Sequence, residues 1–296
     1  MRNTVEGQQK HGQQDHIEIL PLFSTTDKNG RMTALQPGRP VGRVAPLLSW
    51  LLAAAVLWAL ASSVPFGALL GLAPTPEISK FLGHPVTVGA AVVLLLAAIG
   101  VTGGLYSRAD DQFGQIRVAG LYSMLSIAGG ISAVAGVLLL WTLINNPSRP
   151  FDLEAIVTSP TIPPELGAIV GAGFALWAVI VLLRLPGSIV HAKRRQADIE
   201  RLRMEGSSFA GTLTAIKFDN HWLFNYPMFT VEVTYIAEGS PHVVLAHMRT
   251  SADRVPLVGS RMLVLTDNRG TIQVELDPSN EATFELDVGK YTPSDG

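Results

Sequence analysis

The sequence predicts a membrane α-helical bundle of four transmembrane helices, followed by a small all-β C-terminal domain of five strands with a barrel-like form. Three observations lead there. The chain of 296 residues is 48% hydrophobic and only 16% charged, outside the usual range for a water-soluble domain. Its charges are segregated, with four long uncharged apolar runs before residue 184. After residue 206 the apolar residues alternate with polar ones, the period of strands rather than helices.

Met1 to Arg39 is polar, rich in Gln, His, Gly and Thr, and broken only by the short apolar stretch Ile17–Phe23. Such composition cannot bury enough apolar surface to offset chain entropy, so residues 1-43 are expected to form a disordered cytoplasmic tail. The segment lacks the basic start, apolar centre and small-residue cleavage site of a signal peptide. Met32 offers an alternative initiator, because Met32–Arg43 would give a short basic lead into the first apolar run.

The four runs predict helices at about 47-72, 86-106, 120-144 and 166-185, with Pro65 bending the first. Each is long enough to cross roughly 30 Å of hydrocarbon at about 1.5 Å per residue. Helices follow because a lipid-exposed peptide group must find its partner within the segment. The fourth is the shortest, and Trp177 and Arg184 extend it by interfacial anchoring and snorkelling. Basic residues cluster before the first run (Arg39, Arg43), between the second and third (Arg108, Arg117) and after the fourth (Arg184 to Arg203), whereas the other two loops hold Lys80 and Arg149. The positive-inside rule then places both termini in the cytoplasm of a cell with an inner (plasma) membrane, and loops 73-85 and 145-165 outside.

Residues 187-206 read as a separate basic juxtamembrane helix. Lys193, Arg194 and Arg195 could hold anionic lipid headgroups; enforcing topology is the plainer role, since Asp198, Glu200 and Glu205 dilute the field. Strands are expected at 211-218, 228-237, 242-248, 261-266 and 271-276, within a β domain of residues 207-278. Asp267–Gly270 makes the last hairpin turn, and residues 279-296 form an acidic tail. Along Thr230–Tyr235, Val231, Val233 and Tyr235 face one way and Thr230, Glu232 and Thr234 the other.

Small residues recur four apart in the spanning runs: Gly129 with Ala133, Ser132 with Gly136, and Gly167 with Gly171. Such spacing lets helix backbones approach closely. It serves either packing inside one bundle, the first expectation, or self-association. Apart from Arg184 at the very end of the fourth, no Asp, Glu, Lys, Arg or His lies within the predicted helices. That opposes a proton-coupled transporter, an intramembrane protease or a heme carrier, all of which need such groups at depth. A pore lined by hydroxyls and backbone stays open.

In the soluble part the most unusual stretch is Asp219–Pro227, where Trp222, Phe224 and Tyr226 alternate with polar residues. These aromatics could plug one end of the barrel, sit at the bilayer interface, or bind a protein partner together with Arg249 and Arg254. Base stacking is disfavoured: residues 207-296 carry 6 Lys or Arg against 11 Asp or Glu, 6 − 11 = −5, the wrong sign for a polyanion. His221, His242 and His247 have no compact metal-ligand spacing. Arg249–Arg254 could read an anion, but a capping-type turn of Thr250 and Asp253 is the simpler expectation. With no cysteine, no nucleophile elbow, no phosphate-cradling glycine loop and no His-Glu-x-x-His helix, an enzyme is not expected, nor a cofactor.

Three stretches carry a resemblance: Gly211–Thr214, Tyr226–Tyr235 with its Val-x-Val-x-Tyr ending, and Val258–Asp267 with its Val-x-x-x-x-Leu-Val-Leu-x-Asp pattern. Over residues 211-277 the chain resembles uncharacterised bacterial multi-pass membrane proteins that end in a small cytoplasmic β-barrel. It is also distantly similar to NfeD-type barrels. The resemblance implies a scaffold or protein-binding role and supplies no catalytic residues. The expectation is therefore a non-catalytic membrane scaffold or regulatory subunit, with a channel or transport component built by homo-oligomerisation as the alternative.

Overall fold

A computed structural model describes residues 21-34, 42-69, 77, 80-81, 84-145, 164-224, 226-267, 269-280 and 282-291. Loops 73-85 and 145-165, for which an external position was expected, fall largely outside them. The chain divides into two compact units, residues 36-193 and residues 1-35 with 194-296.

The first unit is helical. Its helices are α1 (Ala45–Val64), α2 (Pro85–Phe113), α3 (Ile116–Asn145) and the greater part of α4 (Pro164–Glu205). Pro65, which cannot donate a backbone hydrogen bond, closes α1, and the chain continues as a π-helical turn, Pro65–Leu69. All four helices are long and apolar enough to cross a membrane. Within each apolar stretch only 11–22% of the residues are buried by protein. Leu52, Val56, Leu96, Val137, Leu140, Leu176 and Leu183 are among the side chains left outward. A soluble protein would not leave such continuous apolar surface to water, so this is a multi-pass membrane protein.

Inside the bundle α1 packs on α2 and α3 around Leu47, Ala54, Leu105, Phe113 and Tyr122. Phe113 and Tyr122 stack with ring centroids 6.4 Å apart. The Trp58 indole N–H donates to Thr102 Oγ1 at 3.0 Å, joining α1 to α2. Serine hydroxyls such as Ser62 and Ser126 donate back to carbonyls three residues earlier. Gly114 ends α2 in the left-handed conformation, φ 62°, so that α3 can begin at Ile116.

The expected break between a fourth spanning helix and a juxtamembrane helix is absent. α4 runs without interruption through Pro186. A proline removes one backbone donor, and the helix bonds on either side carry the segment across. The unit boundary falls at 193/194 instead of 186/187.

The second unit is an antiparallel six-stranded sheet, nearly closed on itself. Its strands are β1 (Leu22–Ser24), β2 (Ser207–Leu223), β3 (Tyr226–Ala237), β4 (Ser240–Arg249), β5 (Arg261–Thr266) and β6 (Ile272–Leu276), in the order β1-β4-β3-β2-β5-β6. The expected alternation on β3 holds: Val231, Val233 and Tyr235 are buried with Leu213, Phe229, Met248, Val264 and Val274, while Glu232 is exposed. At the expected β5–β6 turn, Asp267 Oδ1 accepts the amides of Arg269 and Thr271, each at 2.9 Å.

Two expectations about the chain ends are corrected. Pro21–Ala34 is not a disordered tail: β1 pairs with β4, Leu22 opposite Arg249 and Ser24 opposite His247. Phe23 is 2% exposed and Met32 0%. These few apolar side chains find a core supplied by the opposite end of the chain, which local composition does not reveal. A chain begun at Met32 would lack the strand. The β domain also extends past residue 278. Phe284 bridges to Pro256, the Glu285 amide donates to the Val255 carbonyl, and Tyr291 enters the core.

Candidate functional site

The aromatic stretch at 219-227 forms the end of the β2–β3 hairpin. Phe218 pairs with Phe229 and Trp222 with Pro227, so β2 carries extra residues between them. This bulge forms at Asp219-Asn220, where Asn220 takes φ 50° and Asp219 Oδ1 accepts from the Thr230 hydroxyl at 2.9 Å. Beyond it, Phe224 sits at the tip with φ 55° and is 67% exposed. Neither the kink nor the tip conformation is announced by hydrophobic period, although Asp-Asn is a pair that tolerates positive φ.

The three aromatics have different roles. Trp222 is half-buried, and its indole N–H donates to the Tyr291 carbonyl at 2.9 Å. Tyr291 packs edge-on against Phe229 (5.0 Å) and Phe218 (5.8 Å). Trp222 thus pins the C-terminal segment to the hairpin, a supporting contact beside the partner-surface role expected of it. Tyr226 is 36% exposed, with the Arg249 guanidinium 5.7 Å from its ring centre. Arg249 is 9% exposed, so its head is committed within the domain. Arg254 lies over a different ring, Phe284, at 5.4 Å. The structure therefore brings Tyr226 and Arg249 together, while Arg254 lies over Phe284.

The turn expected at Thr250 is present in altered form: the Thr250 hydroxyl donates to the Arg254 carbonyl at 3.0 Å, and Ala252–Arg254 is a 3-10 turn without a side-chain cap. Among the described residues no three His, Cys, Asp or Glu side chains gather as a metal site. His221 is exposed, while His242 stacks on Tyr235 at 5.5 Å. His247 is half-buried beside Ser24 and Thr230. Burial lowers its pKa, Lys28 lowers it further, and Asp219 acts weakly the other way.

Of the basic cluster, Lys193 and Arg194 are exposed, but Arg195 is not available to a headgroup. It is 8% exposed and forms an ion pair with the buried Asp27 carboxylate at 3.1 Å. Further along α4, Arg201 pairs with Asp267 at 2.9 Å and Arg203 with Glu275 at 2.8 Å. Half of the apparent surface charge of this segment is internal wiring of the β unit.

The small residues also divide. A methyl group added at Gly171 would lie 2.5 Å from the Ala135 Cβ, so this glycine does serve packing inside the bundle; Gly167 is buried as well. Gly129 and Gly136 have nothing within 4 Å of such a methyl group, and Ala133 is exposed. Packing inside the bundle was the first expectation for this stripe; among the described residues its two glycines meet no neighbouring helix. The close contacts fall on residues that spacing alone missed. Gly130 abuts the Ala55 carbonyl and Trp58 of α1, and Gly104 lies against the Trp50 ring. The Gly129-Gly130 doublet was the available signal; a doublet does not say which member faces inward.

No known protein family, curated protein or solved structure matches the chain.

Proposed function

We propose that this protein is a non-catalytic membrane scaffold or regulatory subunit of a bacterial inner membrane, whose β domain binds a protein partner through the β2–β3 hairpin tip. Both termini are cytoplasmic in this reading, on the strength of the basic flanks. The observation that carries it is Phe224, a large apolar side chain presented on a bulged hairpin whose base is braced by the Trp222–Tyr291 bond and the Tyr226–Arg249 stack. A rigidly mounted aromatic is the usual anchor of a protein interface, because little side-chain entropy is lost when it docks. The resemblance to NfeD-type barrels supports the same role. The −5 balance of residues 207-296 counts against nucleic acid.

Crosslinking in native membranes followed by mass spectrometry tests this. Phe224→Ala should remove a specific co-purifying protein while the β domain keeps its protease resistance. An unchanged set of co-purifying proteins would defeat the proposal.

One observation favours a second reading, a channel or transport component formed by homo-oligomerisation: Gly129, Ala133 and Gly136 present an open small-residue stripe on α3. In that case Gly129→Leu should reduce oligomer size and solute flux in reconstituted vesicles together. Flux that survives loss of the oligomer rejects it.

A further inference from the structure

The cations that flank the helices fall into two groups. Arg195, Arg201 and Arg203 are ion-paired inside the β unit. Arg43, Arg108 and Lys193 belong to the helical unit and are exposed. Among the described residues none of these three has a carboxylate partner, and Asp110 and Asp111, next along α2, have other contacts.

Packing brings the three cations to one rim of the bundle. The Gly42 amide donates to the Gln112 carbonyl at 3.0 Å, so the lead into α1 lies on the end of α2. Lys193 reaches the same point from α4: a methyl group added at Gly42 would sit 2.9 Å from its Cε and 2.7 Å from the Phe113 ring. Arg43 adjoins Gly42 in the chain. Further along α1, Trp50 lies over Gly104, where an added methyl group would be 2.9 Å from the indole. The Arg108 guanidinium covers that indole, its carbon 3.8 Å from the ring centre. Residues 104, 108 and 112 share one stripe of α2, which therefore carries the tryptophan, the guanidinium and the Gln112 contact together.

Stacking engages the face of a guanidinium and leaves the fork of N–H groups at its edge for another acceptor. It also holds the side chain, so less rotamer freedom is lost when an anion binds. A phosphate ester has the matching geometry, two oxygens accepting two parallel N–H bonds. On the apolar side α2 leaves Leu96 and Ile99 outward, 64% and 53% exposed, the surface that acyl chains cover in a membrane. A phosphate carried on acyl chains is held at both ends; a soluble one is held only at the rim. We propose that Arg108, stacked on Trp50 and assisted by Arg43 and Lys193, binds the headgroup phosphate of an anionic phospholipid. A role in topology alone asks only for positive charge, which lysine supplies as well as arginine.

Native mass spectrometry of the full-length protein in detergent tests this, with phosphatidylglycerol as the probe. The protein should retain it in preference to phosphatidylcholine. Arg108→Lys keeps the charge but loses the fork and the stack, and should weaken phosphatidylglycerol binding about tenfold. Lys193→Gln should weaken it as well. Lys217 is an exposed cation of the β unit, and Lys217→Gln should bind like the parent chain. An excess of glycerol 3-phosphate should not compete. Equal retention of the two lipids, undiminished binding by Arg108→Lys, or competition by glycerol 3-phosphate overturns the proposal. So does an equal effect of Lys193→Gln and Lys217→Gln, which would make the attraction one of overall charge; this comparison decides alone if Arg108→Lys fails to fold.

Discussion

Asp27 and Arg195 lie far apart in sequence, one in a polar N-terminal segment and the other in a basic cluster; in the folded chain they are a buried ion pair. Removing one member leaves the other charge buried without compensation, at a cost of roughly 3–5 kcal/mol. Asp27→Ala should therefore destabilise the β unit by about that amount, read by denaturation of the detergent-solubilised chain with amide exchange in β5 and β6 as the probe. A change no larger than that of an exposed control such as Asp253→Ala would show the pair to be dispensable. His247 has a pH signature. Its folded pKa lies below the ordinary 6.5, chiefly because burial penalises the charged ring. The unfolded chain then takes up the proton more readily than the folded one. Stability is unaffected well above 6.5 and falls as pH drops through the histidine range. A ring titration by NMR should give a midpoint below 6.5, and His247→Gln should lessen the acid loss. Asp267 behaves in the opposite sense: the Thr271 amide leads the groups that depress its pKa, with the Arg269 amide and Arg201 adding to it. Its contribution is present above the ordinary 3.8 and is lost as pH falls through the lower folded value.

At the scale of elements, α3 offers a contrast between adjacent residues. Gly130 faces the backbone of α1, whereas the Cβ position of Gly129 is open. Gly130→Ala should loosen the α1–α3 contact and lower the thermal stability of the solubilised bundle, while Gly129→Ala should leave it unchanged or slightly raise it through better helix propensity. Equal effects would mean that the two helices part easily. The example shows what could be read beforehand and what could not. Long uncharged runs declare spanning helices because lipid imposes one requirement on every residue of the run. The β3 alternation declares its buried face because Val231, Val233 and Tyr235 must all lie on one side. Which glycine faces a neighbour depends on the rotation of one helix about another, and four-residue spacing does not encode that rotation. The hairpin tip was similarly half legible. Its aromatics stood out by composition, but the sorting into support (Trp222) and presented side chain (Phe224) came from Tyr291, a residue 69 positions away from Trp222.

For the molecule as a whole, the decisive fact is that the β unit is built from both ends of the chain. Thr25 Oγ1 donates to the Ile272 carbonyl at 2.6 Å, and Gln273 Nε2 donates to the Phe23 carbonyl at 3.1 Å. With β1 laddered to β4, these bonds make it the stave between β4 and β6 that nearly closes the sheet. Five strands are contiguous in sequence and were foreseeable; the sixth was not, because three residues carry no period and its partner strand is more than 220 residues away. A protein shortened to begin at Met32 tests the consequence. The spanning helices keep every apolar residue, so insertion should be normal. The β unit, however, loses the buried Phe23 ring, worth roughly 3–5 kcal/mol on the scale of large-to-small core substitutions, together with the Asp27 partner of Arg195. Amide exchange should rise in β4 and β6, the strands that flank the opening, before it rises in β2 and β3, which retain both neighbours. A synthetic peptide spanning residues 21-34 should restore protection to the two flanking strands. Protection in β4 and β6 that survives the truncation would mean that β1 decorates the sheet rather than completing it.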